Sequence, residues 1–81
     1  MTVERATSTT ERDWLLDVGM RIRLARVRAK ETQEELAARA GVSRVTVGSI
    51  ERADHPAVIL AYRRLAEALN LSLAELLDGD L

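Results

Sequence analysis

The stretch Gln33–Arg52 reads Q-E-E-L-A-A-R-A-G-V-S-R-V-T-V-G-S-I-E-R, two short helices with a tight turn between them. Gly41 is the pivot: it follows an apolar helix, and a left-handed helix-ending position is one that Gly takes at little cost. Ser43 then offers its side-chain oxygen as the cap of the second helix. Thr32 and Glu35 form a T-x-x-E capping box that starts the first helix at about Gln33. Leu36, Ala37 and Ala40 face inward from the first helix. On the second, Val47 and Ile50 lie three apart and share an inward face. At about 100° per residue the outward face centres on Val45 and Arg52, with Gly48 and Ser49 beside them and Arg44 and Thr46 on its flanks. That face has no apolar stripe, and a mid-helix Gly costs about 1 kcal/mol relative to Ala. Such a gap in the side-chain wall suits the close approach of something bulky.

This pattern has Ala at its fifth position, Gly at its ninth and branched apolar residues at its fifteenth and eighteenth. It resembles the helix-turn-helix of the Xre, phage repressor and Cro family. The likeness continues into G-M-R-I-R-L-A-R (19–26) and R-R-L-A-E-A-L-N-L-S-L-A-E-L-L (63–77), so it covers roughly residues 19–78. It implies an all-α, compact five-helix lambda repressor-like DNA-binding domain.

Composition agrees with one small domain. The chain has 81 residues, no Cys, and only Trp14 and Tyr62 as aromatics, so aliphatic helix packing must carry the stability. Without Cys there is no disulfide or thiolate metal site. No stretch approaches a membrane span and no signal-peptide pattern opens the chain; a cytoplasmic protein is expected. The net charge of -1 argues against a generic polyanion binder, but the charge is unevenly placed. Residues 1–20 carry two Arg against four acids, residues 21–52 seven Arg and Lys30 against four Glu, and residues 53–81 two Arg against five acids. Basic charge therefore gathers on the helix-turn-helix. Its Arg bias suits phosphate and guanine contacts, and equally suits a GC-rich genome.

In chain order, residues 1–12 read as a flexible N-terminal segment and 13–81 as the DNA-binding domain, with the motif at 33–52. Thr10 and Asp13 mark a helix start. Leu15, Val18, Ile22, Ala25 and Ala29 then recur at helical spacing to about Ala29. Trp14 and Leu16 lie off that stripe and either close the core or join a dimer contact. After the motif, 53–56 is a turn. Pro56 opens a helix to about Leu69 that buries Ile59, Tyr62, Leu65, Ala66 and Leu69. Asn70 suits a left-handed closing position, and Ser72 with Glu75 caps a last helix, 73–78, with Leu71 and Leu76 as its hydrophobic staple.

The resemblance assigns roles residue by residue. Gln33 would contact the DNA backbone at a helix N-terminus and brace Arg44. Arg44 would read guanine, and Val45 would touch a thymine methyl or fill space. Ser43, Thr46, Ser49 and Arg52 complete the DNA-facing set, Arg52 on phosphate. Arg26 and Glu51 match a buried pair that braces the recognition helix. Val58, Leu60, Leu77 and Leu81 form a candidate dimer contact. Lys30, Glu31, Ala53 and Pro56 depart from the family pattern in the flanking turns.

His55 reads as a turn residue. No catalytic set, metal site, cofactor fingerprint or small-molecule sensor is visible, so no enzyme is expected. The expected partner is double-stranded DNA, bound by a homodimer that acts as a repressor. The alternative is an antitoxin or protein-interaction module whose partner is a protein such as a toxin.

Overall fold

The computed structural model describes residues 4–79, and its elements are all helical: α1 (Glu4–Arg28), α2 (Gln33–Ala40), α3 (Arg44–Arg52), α4 (Ile59–Ala68) and α5 (Leu73–Asp78). The capping chemistry read from the sequence sets the inner boundaries. Thr32 Oγ1 accepts from Glu35 N at 3.0 Å while Glu35 Oε1 accepts from Thr32 N at 2.8 Å. Ser72 and Glu75 repeat the exchange at 3.0 and 2.7 Å. Gly41 closes α2 at φ 75°, and its N–H bonds Ala37 O at 2.9 Å.

Among the described residues, three with a Cβ also take left-handed conformations: Lys30 (φ 59°), Ala53 (φ 56°) and Asn70 (φ 63°). Asn70 does so as expected. Lys30 and Ala53 show that the departures from Gly leave the turns in place; Ala53 is 2% exposed, so its methyl sits in the core.

Val18, Ile22, Leu36, Val47, Leu65 and Leu76 are fully buried and meet at the centre, with Ala37, Ile50, Tyr62 and Ala66 around them. Helix α1 supplies one wall and crosses α3 at Gly19. A Cβ there would lie 2.3 Å from Ile50 O and 3.0 Å from Glu51 O, so only a bare Cα permits the approach. At the other end, Arg21 Nη1 donates to Leu76 O at 2.9 Å and Leu77 O at 3.2 Å. This places a cation on the free carbonyls of the α5 C-terminus.

Glu31, where the family has an apolar residue, pairs through both oxygens with Arg39 at 2.7 Å. Arg39 in turn donates to Ala68 O at the end of α4. The Arg39 hydrogen bond holds the Glu31 carboxyl below its usual range. Its contribution is therefore present above the unfolded carboxylate pKa and fades as pH falls through the folded value.

Several expectations need correction. Helix α1 begins at Glu4, not at Thr10–Asp13. Helix α4 begins at Ile59 behind an N-cap Val58, leaving Pro56 in the connecting loop. Ile59 is 61% exposed, because side chains tilt towards a helix's N-terminus and those of the first turn overhang the core. Ala61, at 6% exposure, takes its place. Trp14 rests on Tyr62 with ring centroids 6.5 Å apart and tilted by 58° but stays 39% exposed, and Leu16 is 43% exposed, so neither closes the core. Among the expected dimer residues, Val58 and Leu60 are exposed and Leu77 packs partly against the core. Leu81 lies outside the described residues.

Candidate nucleic-acid interface

Glu51, on the last turn of α3, ties three helices together. Its Oε2 accepts from Arg26 Nε at 2.7 Å, and its Oε1 from Arg26 Nη2 and Gln33 Nε2, each at 3.0 Å. Arg26 Nη1 reaches on to Glu31 O at 2.8 Å. The Arg26 and Glu51 side chains are only 14% and 4% exposed, so the fork-on-fork pair works in a poorly solvated site. Gln33 therefore braces the C-terminal end of α3 through Glu51, rather than Arg44 at its N-terminal end.

The N-terminal end of α3 is capped from within. Ser43 Oγ accepts from Thr46 N at 3.0 Å and lies 2.9 Å from Thr46 Oγ1. Arg64 Nη1 donates to Gly41 O at 3.2 Å and holds the turn from α4. What projects beyond this frame is Arg44, exposed and without a polar partner among the described residues, and Val45, 69% exposed. Arg52 is exposed at the far end, its Nε 2.9 Å from Asp54 Oδ2.

Two expected outward residues are not outward. Ser49 is 6% exposed, and its Oγ lies 3.2 Å from His55 Nε2. The turn after α3 folds back, with Asp54 N bonded to Ser49 O at 3.0 Å, and His55 covers the hydroxyl. Gly48 is buried as well, because Arg52 and Gln33 lie across it: a Cβ there would be 2.8 Å from Arg52 Nη1 and 3.4 Å from Gln33 Oε1. The nearer atom is the tip of a flexible chain. Gly48→Ala is therefore expected to raise stability by about 0.5–1 kcal/mol, the helix-interior gain of Ala over Gly. A thermal melt checks this; a fall in the midpoint would mean that Arg52 cannot swing aside.

The exposed ends of α3, the α2 N-terminus and the turn between them thus lie on one rigid frame. A family model described as helix-turn-helix matches residues 22–76, more than half of the chain. The chain belongs to the Xre-like, lambda repressor-like helix-turn-helix family. No curated protein and no solved structure matches it. This is a DNA-binding family and not an enzyme family, so the chain is a DNA-binding helix-turn-helix protein. Among the described residues no helix is long and apolar enough to cross a membrane, and no cluster of acids and His is placed to hold a metal ion.

Neither Gly19 nor the Arg21 contact with α5 was singled out from sequence. Gly19 falls in the middle of an otherwise regular helical pattern, where an isolated Gly is itself a sign of close packing.

Proposed function

We propose that this helix-turn-helix protein is a sequence-specific transcriptional regulator, a dimeric repressor of cytoplasmic location. Each copy, folded over residues 13–81, lays helix 43–52 in a major groove, and the two half-sites lie about one turn (~34 Å) apart. The observation that supports this best is an exposed Arg44 at the free end of a helix whose other end is locked by Glu51. In this reading Arg44 pairs bidentately with guanine, and Val45 meets a thymine methyl. Ser43, Thr46, Gln33 and Arg52 position the helix on phosphate, while Ser49 is reserved for the fold.

Selection from a random duplex pool, at two salt concentrations, tests it. Wild type is expected to enrich a two-fold symmetric site, more weakly at higher salt. Arg44→Ala is expected to lose about 1–3 kcal/mol at that site, roughly 5- to 150-fold in affinity, and to relax one base position. A folded protein that enriches nothing sinks this reading. The second reading, an antitoxin or protein-interaction module with a protein partner such as a toxin, would then stand. The apolar exposure of Val58, Ile59 and Leu60 is what favours it.

A further inference from the structure

The chemistry offered at the start of α3 reduces to two side chains. Arg44 is exposed and without a polar partner among the described residues, and Val45 beside it is 69% exposed. The other polar side chains there are engaged within the fold. Ser43 Oγ accepts from Thr46 N at 3.0 Å and lies 2.9 Å from Thr46 Oγ1, so the two hydroxyls are turned on each other. The Gln33 amide donates to Glu51, at the opposite end of the helix. No Asp or Glu stands in the first turn of α3. What remains is a cationic donor fork next to an isopropyl group, with no carboxylate on that turn to accept from a base amine.

That pair has a defined blind spot. Successive residues lie about 3.8 Å apart, close to the roughly 3.4 Å between stacked bases, so a guanine under Arg44 puts the adjoining base pair under Val45. In the major groove thymine shows the O4 acceptor and a C5 methyl, whereas cytosine shows the N4 amine and no methyl. Valine makes no hydrogen bond, so it does not tell O4 from N4. It does tell a methyl from its absence, because the methyl is apolar area that Val45 can cover. Methylation of cytosine at C5 installs the same group on the same edge. To Val45, 5-methylcytosine therefore resembles thymine and differs from cytosine; a polar side chain in its place would separate them by the group at position 4.

We propose that Arg44 and Val45 together read a guanine beside a C5-methylated pyrimidine, so that methylation of a cytosine at that step strengthens binding to DNA. This rests on the major-groove reading of the proposed function and goes beyond it: a covalent modification of the DNA becomes an input to the protein. The residue that carries the response is Val45.

Selection with the full chain from two random duplex pools tests this, one pool ordinary and one with 5-methylcytosine in place of every cytosine. The ordinary pool is expected to yield a thymine–adenine pair next to the contacted guanine, and the methylated pool thymine or 5-methylcytosine there in like measure. Fluorescence anisotropy on the recovered site then compares thymine, uracil, cytosine and 5-methylcytosine at that position. Wild type should bind uracil and cytosine roughly fourfold more weakly per half-site than thymine and 5-methylcytosine, the worth of about one buried methyl. Val45→Ala, a change at an exposed side chain, should stay folded and bring the members of each pair within about twofold, while Val45→Ile should keep the preference. Equal wild-type affinity for cytosine and 5-methylcytosine, or a methyl preference that persists in Val45→Ala, would overturn the proposal. Either result leaves the recovered site and its dependence on Arg44 standing. Failure of the DNA reading itself shows differently, as no enrichment from either pool, and overturns both.

Discussion

Glu51→Ala is expected to destabilise the fold by about 3–5 kcal/mol, the cost of leaving one member of a buried ion pair without the other. The loss falls on two donors. Arg26 would keep its charge in a site where its side chain is 14% exposed, and the Gln33 amide would lose its acceptor. A domain of this size holds roughly 4–12 kcal/mol in all, so the variant would be partly unfolded near physiological temperature. The thermal midpoint should fall by roughly 12–40 °C. The comparison that isolates the pair is a cycle with Arg26→Met and the double variant. Much of the loss should return in Arg26→Met/Glu51→Leu, where no charge is stranded. A single-variant loss below about 1 kcal/mol, the range of a solvated surface pair, would show that water already screens the contact. Destabilisation by Glu51→Ala should also release Gln33, so the remaining folded protein should bind DNA less well than Arg44-intact wild type.

Gly19→Ala sets two effects of opposite sign against each other. In an isolated helix Ala would be favoured by about 1 kcal/mol. Here its methyl would lie 2.3 Å from Ile50 O and 3.2 Å from Glu51 Cα, which are backbone atoms and cannot rotate away. Helices α1 and α3 must part, and overpacking of this kind costs about 1–3 kcal/mol, at times more. The clash should outweigh the helix gain, with net destabilisation of up to about 2 kcal/mol for Ala and more for Val. Because the displaced element is α3 itself, DNA affinity should fall further than stability alone explains. Denaturant melts of Gly19→Ala and Gly19→Val, with binding measured where both are folded, check this. Equal or greater stability in Gly19→Ala would show that the helix crossing is looser than the 2.3 Å approach indicates.

Much of this molecule was legible because its signals are local. A capping box needs only Thr32 and Glu35, or Ser72 and Glu75, at the right separation. The turn at Gly41 needs a residue tolerant of positive φ, and the inward faces of α2 and α3 follow from helical spacing. The Arg26–Glu51 pair, a long-range contact, was legible only through resemblance to a family.

What sequence by itself determined, then, was the order of the helices, the caps of α2, α3 and α5, and the buried stripes of α2 and α3, since these depend on neighbours within about one turn; the starts of α1 and α4 and the exposure of Ile59 were not among them. Only the tertiary structure decided which polar groups are free. Ser49 and Gly48 stand on the outward side of an isolated α3. The returning turn brings His55 over the first, and α2 and the end of α3 lay Gln33 and Arg52 over the second. Likewise, nothing in its own spacing marks Gln33 as the partner of Glu51 rather than of Arg44; the packing of α2 across α3 makes that choice. A side chain's hydrogen bonds depend on what the chain folds back beside it, and that is set by the crossing of helices at Gly19 and the node at Glu51.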